Sequence, residues 1–261
     1  MSLSLRQAAL QVVSATELET KLRPIKDWTD DDPGKPLRLE APGRPENLPI
    51  RPGRQVKVPP LEGMSDPHQR ARILHALANH ELQAAELFAW ALLAFADAPR
   101  EFRHGLAEIL DDEQRHTRMY IARVESCGYA FGDFPVTGYF WHKLPGIQTP
   151  LHFVSAMSLT FENANLDHTV EIADAARRAG DVKTAQVIDA VGDDEKRHVR
   201  FGWQWLNHWK DEDADAWDAW NANLEWPLRP IRAKGKTFQR QARLEAGLDE
   251  AFVDRLAAAA E

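Results

Sequence analysis

Asp111-Asp112-Glu113-Gln114-Arg115-His116-Thr117-Arg118 returns further along the chain as Asp193-Asp194-Glu195-Lys196-Arg197-His198-Val199-Arg200, with six of the eight positions identical. Each copy holds a Glu-x-x-His pair, Glu113/His116 and Glu195/His198. Each is also preceded by a further glutamate, Glu81 by 32 residues and Glu162 by 33. Residues three apart on a helix lie about 60° apart around its axis, so both side chains of a pair can face inward. The chain therefore reads as a duplicated helical hairpin, each copy carrying one glutamate on its first helix and Glu-x-x-His on its second.

The flanking signals agree. Asp66-Pro67 reads as an N-cap with proline at the first helical position. It opens a helix to about Ala96, with Ile73, Leu77, Leu82, Phe88 and Leu92 at mostly helical spacing. Pro99 starts the return helix, which runs to about Cys127 and stops at Gly128. After a long connection, Tyr129 to Gln148, Thr149-Pro150 opens a third long helix ending at Gly180, and Asp181 caps a fourth to about Lys210. From Glu81 to the turn at Asp97–Pro99 is about 16 residues, or ~24 Å of helix, and the return to Glu113 is about 14, so both carboxylates reach one level. Two such hairpins joined by one long connection predict an all-α, ferritin-like four-helix bundle.

Outside this core, residues 5–22 read as one short amphipathic helix. Nine of the 16 prolines fall between Pro24 and Pro60, where no helix persists. Leu37, Leu39, Leu48, Ile50, Val56, Val58 and Leu61 favour a docked arm there over a free linker. Beyond Lys210, an acidic stretch leads to a helix with Trp217 and Trp220, then to a basic segment 229–243 without an acid, then to a last helix from Asp249 to Ala259. The predicted domains are 1–64 (N-terminal helix and arm), 65–210 (bundle) and 211–261 (helical extension packed on the bundle).

With 44% hydrophobic and 28% charged residues, the composition is that of an ordinary soluble domain. A net charge of -8 speaks against general nucleic-acid binding. The single cysteine, Cys127, excludes an intrachain disulfide and any four-cysteine metal site. The apolar stretch Ala8 to Ala15 is short and broken by Gln11 and Ser14, so no leader is read, and no run approaches the ~20 apolar residues of a membrane span. The expected location is the cytoplasm.

Four carboxylates and two imidazoles brought to one height in a bundle would be costly unpaired, and mutual repulsion would raise the carboxyl pKa values. A pair of metal ions removes that cost. The expected ligands are Glu81, Glu113, His116, Glu162, Glu195 and His198, around two ions ~3.5–4 Å apart. Oxygen-rich ligation with one imidazole per ion suits iron or manganese better than zinc.

This constellation resembles that of ferritin-like di-iron carboxylate proteins over about residues 66–210. The fuller Asp-Glu-x-Arg-His motif on both helices is similar to that of bacterial multicomponent monooxygenases. The arm, the bundle and the C-terminal Ala233-Lys-Gly, Ala242-Arg and Ala246-Gly-Leu-Asp together resemble a bacterial ferritin-like domain-of-unknown-function family. The monooxygenase resemblance implies that Asp112 braces His198 and Asp194 braces His116. Arg115 and Arg197, three residues beyond, are placed to keep the aspartates ionised; plain i,i+3 surface pairing is the alternative.

The function expected is a di-iron oxidoreductase, with manganese left open, that activates O2 or peroxide for hydroxylase or oxygenase chemistry on a small organic substrate. It would draw on an external electron donor and act as a monomer or homodimer. Ferroxidase or iron-binding, catalase-like and non-enzymatic metal-binding readings stay open. Tyr120, nearly two turns beyond Glu113, is a candidate catalytic phenol. Its counterpart Gly202 is read as close helix packing or, alternatively, as an oxygen or substrate pocket. His75, His80, His104 and His168 lack the paired spacing and read as structural or surface groups. Glu86 and Asp167, five residues beyond Glu81 and Glu162, sit about 140° off the ligand face and read as groups that support the ligands or pair with another helix rather than as ligands. The six tryptophans from Trp203 to Trp226 are read as packing the C-terminal segment, and the basic segment as a solvated or internally paired surface.

Overall fold

The computed structural model describes residues 3–25, 27–225 and 227–260. Among these residues strand is confined to Ile50–Arg51 (β1) and Val136–Thr137 (β2), which pair in parallel with Ile50 opposite Val136. All other regular structure is helical, as the sequence predicts. The chain forms two compact units, Met1–Leu144 and Pro145–Glu261. The division falls in the connection between the two hairpins, so each unit contains one copy of the repeat.

In the first unit, α1 (Leu5–Ser14) begins with a reciprocal cap: the Gln7 amide donates to Ser4 Oγ at 3.2 Å and the Gln7 side chain accepts from Ser4 N at 3.1 Å. The single helix expected over 5–22 is broken. Ala15 turns extended, and α2 (Leu18–Lys21) folds back. The physical reason is Lys21, fully buried, whose Nζ donates to Val12 O at 2.6 Å and Val13 O at 3.0 Å and so supplies donors to carbonyls left open at the end of α1.

The proline-rich arm is docked. Leu37 N donates to Leu93 O at 2.9 Å, Trp90 Nε1 donates to Leu39 O at 3.0 Å, and Leu48 is fully buried. Its contacts fall along α3 (Pro67–Ala94), where Asp66 accepts the Gln69 amide as the predicted cap. α3 is buried almost all round because α1, the arm and α4 (Arg100–Ser126) all pack on it. Gly128 ends the hairpin at φ 85°.

In the second unit the helix expected over 150–180 is not uniform. α5 (Pro150–Ala156), capped by Thr149, passes into a π-helical turn at Met157–Glu162 and then into α6 (Asn163–Arg178). The wider turn displaces backbone groups from their usual partners, and Ser155 O is taken up by Thr160 Oγ1 at 2.7 Å and by Trp220 Nε1 at 3.1 Å. α7 (Val182–Trp209) returns along α6 from the Asp181 cap. Three short helices follow: α8 (Ala216–Ala222), α9 (Arg240–Glu245), unforeseen inside the basic segment, and α10 (Glu250–Ala258). Leu159, Leu166, Val199, Leu206, Trp220 and Phe252 form one cluster with Trp203 and Trp217 packed against it. The tryptophans in that cluster thus pack the C-terminal helices onto the hairpin; Trp226 lies outside the described residues.

Gly202 of α7 lies flat against the π turn. A Cβ built there would stand 2.3 Å from Ser158 Cβ and 3.2 Å from Leu159 Cγ, so close packing explains this glycine. Gly202→Ala should therefore destabilise the protein. Overpacking costs about 1–3 kcal/mol, and so close an approach places it at the upper end, above the ~1 kcal/mol that alanine returns in helix propensity. Urea unfolding at neutral pH checks this, and an unchanged or raised midpoint would mean the π turn yields freely.

Candidate metal centre

In the first unit Glu81 projects from α3, and Glu113 and His116 from successive turns of α4. One ligating atom from each lies within 4.8 Å of the other two, and all three residues are buried. His116 Nδ1 is 3.6 Å from Glu81 Oε2 and 3.7 Å from Glu113 Oε2. Burial, and after it the charge of Glu113, pushes the Glu81 carboxyl well above the ordinary carboxylate range, while His116 pulls the other way. A bound cation would reverse that balance and favour the carboxylate.

In the second unit Glu162 closes the π turn, and Glu195 and His198 stand on α7, again buried and within 4.8 Å of one another. His198 Nδ1 is 3.2 Å from Glu195 Oε2. One group in this set escaped the sequence reading. Asn165, on α6 one turn past Glu162, donates through Nδ2 to Glu162 Oε2 at 3.2 Å and to Glu195 Oε1 at 3.1 Å. The equivalent residue three beyond Glu81 is Ala84, so comparison of the two repeats is the signal that marks it.

The two motif copies differ where their outer faces meet different segments. In the first, Gln114 Nε2 donates to Lys21 O at 2.6 Å and Arg118 to Leu22 O, both in the N-terminal segment. In the second, Lys196 pairs with Glu245 at 3.1 Å, Arg200 donates to Glu245 O at 2.6 Å, and Val199 enters the apolar cluster. Divergence at two of the eight positions thus follows what covers each helix. Asp112 pairs with Arg115 at 2.8 Å and Asp194 with Arg197 at 2.5 Å. Tyr120 is buried on α4.

Glu86 and Asp167 are held from outside the helical hairpins, by partners that their angle off the ligand face did not name. Glu86 accepts Arg44 at 2.7 Å, Trp141 Nε1 at 2.8 Å and Lys21 at 3.0 Å. Asp167 pairs with the fully buried Arg243 through bonds of 2.7 and 2.8 Å and accepts the amides of Gly235 and Gln239. Within the basic segment Arg240 meets Asp254 at 3.1 Å and Lys234 donates to Ala257 O at 2.6 Å, so these charges are paired internally.

The four histidines without the paired spacing, His75, His80, His104 and His168, lie outside both sets. His104 lies against Asp30 and Trp28, His80 against Phe140, and His168 is exposed. His75, buried between Phe131 and Phe134, accepts the Gly132 amide at Nε2 at 2.8 Å, and burial lowers its pKa from 6.5 to about 4. That bond needs a neutral ring. Because the folded pKa lies below the unfolded one, the stability His75 contributes is present above about pH 6.5 and lost as pH falls toward about 4. The gap corresponds to roughly 3 kcal/mol. His75→Gln should show a correspondingly flatter loss of stability between pH 7 and 4 by chemical denaturation; an unchanged pH slope would contradict the assignment.

The helices and these two clusters define an all-helical protein with a buried Glu-Glu-His set in each copy of an internal repeat. The chain belongs to the family described as Protein of unknown function (DUF455), which matches residues 3–254. No curated protein and no solved structure matches the chain significantly. Among the described residues no helix is long and apolar enough to cross a membrane.

Proposed function

We propose that the two hairpins form a ferritin-like four-helix bundle in which Glu81, Glu113 and His116 join Glu162, Glu195 and His198 around two metal ions, iron or manganese. The observation that carries this reading is the recurrence, in each unit, of a buried Glu-Glu-His set with its ligating atoms within 4.8 Å. The donor chemistry fits: two carboxylates and one imidazole per half suit a hard or borderline divalent ion, and an ion relieves the burial and crowding that push the Glu81 carboxyl upward. In the same reading Asp112 and Asp194 orient the histidines across the bundle, since a ligating imidazole usually donates its other N–H to a carboxylate.

Such a pair of ions supplies activation of O2 or peroxide, and the function proposed is an oxidoreductase of hydroxylase or oxygenase type acting on a small organic molecule with an external electron donor. The chain's own contribution is to orient six ligands, exclude bulk water, and place the buried Tyr120 phenol two turns along α4 from Glu113. Protein purified without chelators and loaded anaerobically with Fe(II) should hold about two ions per chain and consume O2 when reoxidised. Failure to retain any ion would end the metal reading. Retention in a cage-sized assembly without substrate turnover would favour iron storage instead.

A further inference from the structure

Acidic residues fill 40 of the 261 positions, yet three stretches of the first unit hold none: 47–61, 67–80 and 134–144. The fold brings these stretches together. Ile50 pairs with Val136 and Arg51 with Thr137, Asn79 Nδ2 donates to Thr137 O at 3.0 Å, and Arg72 donates to Lys57 O. The segment from Arg51 to Pro60 is exposed along nearly its whole length. It carries Arg51, Arg54 and Lys57 three residues apart, and none of these side chains has a carboxylate partner among the described residues. Arg72 meets a carbonyl there, not a carboxylate. Exposed arginines elsewhere are neutralised: Arg177 by Asp174 and Asp189, Arg240 by Asp254, Arg255 by Asp215 and Asp218. The acids that flank the three stretches are Glu46, Glu62, Asp66 and Asp133. Asp66 caps α3 and Asp133 accepts the Ala130 amide at 2.7 Å.

We propose that this acid-free face is a docking surface for a carboxylate-rich patch on a partner protein. Two exposed large apolar side chains, Val58 at 51% and Tyr139 at 39%, belong to the same stretches. Arginine and tyrosine set around exposed apolar groups is a composition typical of protein interfaces. Ten residues of chain span at most about 35 Å, the scale of a patch that buries ~800 Å² per partner. A nucleic acid or an anionic membrane spreads its charge over a wider field. It would also meet the acids that give the chain its net charge of -8. An acidic patch of matching size avoids them. The unneutralised cations steer that patch on approach and fix its register on contact. The proposal stands independently of the metal reading.

The test uses the full-length protein and a fluorescein-labelled peptide of repeated Glu-Leu-Ser, followed by anisotropy at low salt. The wild type should bind it, and binding should fade toward 1 M salt, where the screening length falls to about 3 Å. Arg51→Glu/Arg54→Glu/Lys57→Glu should weaken binding about tenfold or more, because like charges then face each other. The same charge change at exposed sites elsewhere, Lys35→Glu/Arg178→Glu/Lys183→Glu, should leave affinity within about twofold. Val58→Ser should weaken it about threefold or more through lost apolar contact. The replaced side chains are exposed, so every variant should fold, and matched melting curves check this. No binding by the wild type, or equal affinities in the two triple variants, would overturn the proposal. A Val58→Ser variant that binds as the wild type does would reduce the face to plain charge and also overturn it. So would tighter binding of duplex DNA or of phosphatidylglycerol vesicles at the same salt, which would give the face to nucleic acid or to lipid.

Discussion

Replacing Arg243 by methionine should cost the protein about 3–5 kcal/mol, the range seen when one partner of a buried ion pair is removed. Arg243 and Asp167 are both fully buried. Besides Asp167, the guanidinium donates to the carbonyls of Gln239, Asn163 and Ala233 at 3.2, 3.0 and 3.1 Å. Methionine fills much of the volume but leaves a desolvated carboxylate and three carbonyls short of a donor. Asp167 also anchors the amides of Gly235 and Gln239, so the loop that brings α9 onto α6 should loosen with it. Thermal unfolding should begin roughly 6–20 °C lower. Pairing Arg243→Met with Asp167→Leu should return part of the loss, because it removes the stranded charge. A single variant within ~1 kcal/mol of the wild type would mean that water replaces the arginine freely.

Loading the apo protein with Mn(II) should stabilise it by about 4 kcal/mol when free ion exceeds the dissociation constant a thousandfold, a rise of roughly 8–16 °C in the melting temperature. Glu113→Gln should remove most of that gain. The same change should leave the metal-free protein as stable as before or more so, since Glu81 would no longer face a second carboxylate in a buried site. The opposite signs of these two effects separate a ligand from an ordinary structural residue. Melts with and without Mn(II) read both. A variant that keeps the full gain would take Glu113 out of the ligand set.

Much of the candidate site was legible because its grammar is local. Glu-x-x-His at one-turn spacing puts two ligating groups on one helix face whatever surrounds it, and the cap residues Asp66, Thr149 and Asp181 accept backbone amides three residues on, as their sequence position implies. The angular offset of Glu86 and Asp167 was enough to remove them from the ligand face. Their actual partners were not legible. Lys21 lies 65 positions from Glu86 and Arg243 lies 76 from Asp167, and nothing in a local pattern chooses among the chain's 32 basic residues.

The sequence by itself determined the all-helical class, the repeat and the six candidate ligands, because helical periodicity and the chemistry of carboxylate and imidazole are properties of short segments. Only the tertiary structure decided where those segments deform and what joins them. It broke the first helix at Ala15 so that Lys21 turns back onto the Val12 and Val13 carbonyls, and widened the turn before Glu162 where Thr160 and Trp220 satisfy Ser155 O. It pressed Gly202 against Ser158 and set Asn165 between two carboxylates on different helices. Each of these depends on a buried polar group finding a partner, or a backbone finding room, across a distance in sequence that no period of 3.6 residues encodes.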